Sequence, residues 1–175
     1  METEILPDVL NDKLHHAAAE RELLSALLRY PANIADVTTI IAADDLFDDR
    51  YTRLFTVLVE LFREGGTITL IAVNEEIKRR GWTDGLDANV VIELADESAH
   101  AGNIRYNAGI VKDYSLRRKL HSLFIEGIAK IRSSRESGPD LLAATEKEIA
   151  AVTTATASDA VPIATLLPQV IDELS

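Results

Sequence analysis

Three groups of residues in this sequence have the types and the spacing to do chemistry. Asp44, Asp45, Asp48 and Asp49 crowd four carboxylates into one short stretch, a density that attracts divalent cations. They lack the alternating ligands and central glycine of a calcium-binding loop, so the reading is a solvated loop followed by a helix cap at Asp48 or Asp49. Of the four histidines, His15 and His16 are adjacent and His100 and His121 stand alone. Neighbours on a helix point about 100° apart and do not share a metal easily, so surface or capping roles are expected. Lys78-Arg79-Arg80 is a basic run at the end of a helical stretch, where cations complement the helix dipole. Only Trp82 and Tyr114 accompany the basic runs, thin support for stacking nucleic-acid bases.

No known catalytic constellation completes these groups. The sequence has no glycine-rich phosphate loop, no dinucleotide fingerprint, no His-Glu-x-x-His and no Gly-x-Ser-x-Gly. The absence of cysteine excludes a disulfide scaffold, thiol catalysis and cysteine-ligated zinc. No catalytic, cofactor or metal residue is therefore assigned. A net charge of −11 over 175 residues repels phosphate, so direct nucleic-acid binding is not expected. The opening Met-Glu-Thr-Glu-Ile-Leu-Pro is acidic and interrupted by Pro7, unlike a targeting peptide. No apolar run approaches the roughly 18 residues of a membrane span. A soluble, cytoplasmic chain with no membrane partner is expected.

The apolar spacing predicts helices almost throughout, and an all-α fold. Residues 17–29 align Ala19, Leu23, Ala26, Leu27 and Tyr30, with Leu24 and Leu28 widening the stripe, and Pro31 ends the helix. A short segment from Ile34 to Ile41 precedes the aspartate-rich connection. Leu54, Val57, Leu58, Leu61 and Phe62 mark the next helix, stopped by Gly65-Gly66. Further helices are expected from about Leu70 to Arg80, ended by Gly81, and from Ala88 to Glu97, capped by Asp87.

From Asn103 helical spacing persists for about thirty residues through Ile104, Ala108, Val111 and Ser115, then Leu116, Leu120, Leu123, Phe124, Ile128 and Ile131. Ser137-Gly138-Pro139-Asp140 is a turn signal, and Leu142, Thr145, Ile149 and Val152 continue on a second helix. Two long helices and a short turn make an αα-hairpin with little else to cover it. Leu116, Leu120, Leu123, Phe124, Ile128, Ile131, Leu142 and Ile149 are its candidate self-association residues. Residues 112–135 set Lys112, Arg117, Arg118, Lys119, Lys130, Arg132 and Arg135 against Asp113 and Glu126, a net of +5. Residues 136–175 carry a net of −6. The basic arm attracts either its own partner arm or the acidic arm of another copy.

Residues 153–160 are all small or polar and read as a tether. Beyond them Ile163, Leu166, Leu167, Val170, Ile171 and Leu174 form an apolar stripe at helical spacing, which Pro168 kinks or shortens. Such a stripe needs a partner surface, and these six residues are the candidate docking helix. The expected organisation is an N-terminal extension at 1–14, a small globular helical bundle at 15–102, the hairpin at 103–152, a flexible linker at 153–162 and a linker helix at 163–175.

The order of these patterns resembles the N-terminal collar domain and linker of DnaB-type replicative DNA helicases, in a divergent form such as phages or plasmids carry. The resemblance rests on Ala19-Glu20-Arg21-Glu22-Leu23-Leu24-Ser25-Ala26-Leu27-Leu28 with Tyr30-Pro31, and on Asp44-Asp45-Leu46-Phe47 ahead of Arg53-Leu54-Phe55. It continues through Gly66-Thr67-Ile68-Thr69, where the family usually has aspartate at the Thr69 position, and Val73, Ile77 and Arg80-Gly81. Asn103, Tyr106, Ile110-Val111, Ser115 and Arg117-Arg118 match the start of the family's hairpin, and Glu146 and Ile149 its second arm. The match covers about residues 14–174. His15-His16-Ala17 replaces the family's usual proline-containing start, and its Gly-Gly near Asp84-Gly85 is incomplete.

The resemblance implies a non-catalytic assembly domain. It would join a hexameric ring as a trimer of dimers through its hairpin, dock primase, and send its linker helix onto the motor domain of a neighbouring subunit. ATP and Mg²⁺ would bind only in a C-terminal motor domain, ahead of which this chain stops, at Ser175. Two other readings are a stand-alone helical adaptor that dimerises through the hairpin, and a small DNA-binding protein using the basic arm. The purified chain should hydrolyse no ATP. Turnover proportional to protein and surviving a further chromatographic step would overturn that expectation.

Overall fold

The computed structural model describes residues 14–97 and 100–157, with side chains through residue 152. Among the described residues there are helices and no strands, so the all-α prediction holds. α1 is Ala17–Arg29, α2 Ile34–Val37, α3 Asp49–Arg63, α4 Leu70–Arg79, α5 Ala88–Asp96, α6 Ile104–Ser133 and α7 Gly138–Ala157. Single 3-10 turns lie at Pro31–Asn33, Ala43–Asp45 and Ala101–Asn103.

The caps explain where the short helices begin. The first N–H groups of a helix have no partner within it, and short polar side chains supply one. Asp48 Oδ1 accepts from the Arg50 N–H at 2.9 Å, Thr69 Oγ1 from Ala72 at 3.1 Å, and Asp87 Oδ1 from Asn89 at 2.9 Å and Val90 at 3.1 Å. His16 plays the same part for α1, its Nδ1 accepting from Ala19 at 3.1 Å, which is the capping role expected for it. Glycines at φ +70° (Gly65) and +69° (Gly81) end α3 and α4 in the left-handed conformation that side chains resist.

The chain divides into two compact units, one reaching Arg118 and one starting at Lys119. In the first, α1 packs on α3 and α5, and α4 bridges α3 and α5. Leu23, Leu24 and Leu27 of α1 meet Leu54, Val57 and Leu58 of α3, Val73 and Ile77 of α4, and Val91 and Leu94 of α5 in one buried core. Tyr30, placed on the α1 stripe by its spacing, is 37% exposed. Arg80, just past α4, ties the bundle's surface together by donating to both Glu60 of α3 and Glu76. Hydrogen bonds from Arg79 and then Arg80 hold the Glu76 carboxyl down to about 2.

Two boundaries differ from those read in the sequence. The globular unit extends to Arg118, past residue 102, because Ile104, Ala108, Val111 and Ser115 of α6 are buried in its core. The first half of α6 thus belongs to the bundle, and only its second half, with α7, forms the second unit. α7 also continues to Ala157, into the stretch read as a flexible linker from residue 153. Alanine has the highest helix propensity and offsets the threonines there. The expected linker helix at 163–175 lies outside the described residues.

Gly127 lies inside α6 with nothing within 4 Å of where a Cβ would stand. Gly127→Ala should therefore stabilise the second unit by about 0.5–1 kcal/mol. Slower amide exchange across residues 123–131 would show the gain, and unchanged exchange would count against it.

Candidate functional site

The carboxylate of Asp45, fully buried in the first unit, is where the aspartate-rich connection meets α6. Its Oδ2 accepts from the Ala42 N–H at 2.9 Å, closing the turn that carries it. From α6, Lys112 Nζ reaches Oδ2 at 3.0 Å and the Ser115 hydroxyl donates to Oδ1 at 2.6 Å. Arg118, one turn further, donates to the Asp45 backbone carbonyl at 2.5 Å and to that of Leu14 at 3.0 Å. A buried carboxylate is tolerated only when charge and hydrogen bonds replace its hydration, and both do so here. Burial pushes the Arg118 guanidinium below the ordinary arginine value, with the charges of Glu20 and Asp45 acting against that shift.

A second buried carboxylate holds the same connection from the other side. Glu20, 2% exposed on α1, accepts from the backbone N–H of Phe47 at 2.9 Å and of Asp48 at 3.3 Å. The Phe47 ring is stacked on His15 at 4.3 Å and lies under the Arg118 guanidinium at 5.5 Å. His16 meets the edge of Tyr114 at 5.7 Å, and Arg117 lies over that ring at 5.2 Å. α1, the connection and α6 are thereby locked by polar contacts around the apolar core.

The expectation of a solvated aspartate loop is corrected in part. Asp44 and Asp49 are exposed and Asp48 is a cap, but Asp45 is interior. The sequence did carry one signal. Ser115 falls on the stripe of Ile104, Ala108 and Val111, and most hydroxyls at core positions take a polar partner. Glu20, beside Ala19 on the buried side of α1, is the same kind of signal.

The basic run at 78–80 is paired within the chain. Among the described residues, no three histidine or carboxylate side chains are grouped to hold a metal ion. Lys78 pairs with Glu75 at 2.9 Å, Arg79 with Glu76 at 2.6 Å, and Arg80 with Glu60 and Glu76. Trp82 lies under Arg80 at 4.9 Å, so both aromatic rings next to the basic runs already carry an arginine of this chain. No described helix is long and apolar enough to cross a membrane.

The candidate self-association residues remain uncovered in large part. Phe124 is 56% exposed, Ile128 54%, Ile131 63% and Leu142 62%. Leu120 and Ile149 are exposed to a lesser degree, and Leu116 and Leu123 are half-buried. Leu116 belongs to the first unit and the others to the second. Within the second unit Lys130 Nζ stands 3.8 Å from Glu148 Oε1, an ion pair between its two arms. The docking residues Ile163, Leu166, Leu167, Val170, Ile171 and Leu174 lie outside the described residues.

Comparison with known proteins agrees with this arrangement. The family described as "DnaB-like helicase N terminal domain" matches residues 12–113, most of the first unit. The chain belongs to that family. It is 30% identical over 102 residues to the replicative DNA helicase DnaB of Rhodothermus marinus, covering 58% of this chain and 11% of that protein. It is 26% identical over 148 residues to the replicative DNA helicase DnaC of Bacillus subtilis, covering 82% and 32%. The chain thus spans about a third or less of the length of these curated relatives. The crystal structure of the N-terminal domain of DnaB helicase from Mycobacterium tuberculosis aligns with a TM-score of 0.73. It covers 79% of this chain and 97% of that one at 22% identity, a likeness of fold.

In this DnaB-type domain the Asp45-Leu46-Phe47 segment on which the resemblance partly rested is the segment that seats α6. Asp45→Ala should destabilise the first unit by about 3–5 kcal/mol, because it removes the acceptor shared by the buried Ser115 hydroxyl, the Ala42 N–H and the half-buried Lys112 ammonium. Ser115→Ala, which removes one neutral donor, should cost about 1–2 kcal/mol. Urea denaturation of the two variants would check the order, and equal losses would contradict the assigned roles.

Proposed function

We propose that this chain is the non-catalytic N-terminal assembly domain of a replicative DNA helicase, holding copies together through the α6–α7 hairpin. The observation that carries the reading is the uncovered apolar row Leu120, Phe124, Ile128 and Ile131 on the second half of α6. Burying one such side chain contributes about 1.5–3 kcal/mol, and among the described residues the second unit leaves the row exposed. Membership of the DnaB-like family and the printed names of its relatives, replicative DNA helicases, supply the context.

On this reading the chain is a cytoplasmic replication protein, and its partners are further copies of itself, up to a hexamer. The primase docking and the neighbouring motor domain implied by the family resemblance complete the partner set. ATP and Mg²⁺ belong to that motor domain, because the phosphate-loop signature is absent from this sequence.

Phe124→Asp tests the assembly role. At 56% exposure Phe124 contributes little to the folded monomer, so the variant should keep its helix content. A charge in the buried face between copies should weaken association by at least about tenfold, seen as a lower mass in sedimentation or light scattering. A wild-type chain that stays monomeric at high concentration would remove the assembly reading.

A further inference from the structure

We draw no further inference here: the strongest candidate, the open hollow of about 330 Å³ between the start of α1 and residues 47–51 of the first unit, is rimmed by Arg21 and Arg50, which already pair with Glu97 and Asp48, and nothing in the structure shows what covers it.

Discussion

The carboxylate of Asp45 is the point on which the seating of α6 depends. It closes its own turn through Ala42 and receives the ammonium of Lys112 and the hydroxyl of Ser115. Apolar packing alone is non-directional and leaves a long helix free to slide or rotate along its stripe. A carboxylate with two donors three residues apart on α6 admits one register, because moving the helix strands the lysine and the hydroxyl. That register places Ile104, Ala108 and Val111 inside the bundle.

The two units illustrate two ways of spending apolar side chains. The first buries leucine, isoleucine and valine from six helices around one centre and satisfies its interior carboxylates, Glu20 and Asp45, with N–H, O–H and ammonium donors. The described part of the second is two helices, and a single facing helix covers only part of each apolar stripe. Its large apolar residues therefore stay exposed, in a row whose length is set by the helix and not by the size of a core. In a protein with otherwise ordinary composition, such a row is the feature that needs a partner.

Charge is used differently in the two halves of the molecule. In the bundle, Lys78, Arg79 and Arg80 are matched by Glu60, Glu75 and Glu76, and the nearby tryptophan is covered by Arg80. The basic run thereby organises the surface of α3 and α4 and presents little net field to a phosphate backbone. Exposed pairs of this kind contribute little to stability each, and their effect here is to orient side chains. Along the hairpin, by contrast, basic and acidic residues are segregated by arm, and Lys130 and Glu148 mark where the arms meet.

The sequence by itself determined the helices, because the signals for them are local. Capping residues, proline, left-handed glycine and apolar spacing act within a turn or two, and α1, α3, α4 and α5 begin and end where those signals stand. The same spacing identified Phe124, Ile128 and Ile131 as belonging to one row, and the order of short motifs pointed to the DnaB-like family. What only the tertiary structure decided depends on residues distant in sequence. Asp45 looked like one of four solvated carboxylates, since nothing near it in the chain shows that Lys112 and Ser115 will reach it. The reach of the first unit to Arg118 is decided in the same way. Helical periodicity is identical on both sides of Arg118, and only the core contributed by α1 to α5 distinguishes the half of α6 that is buried from the half that is not.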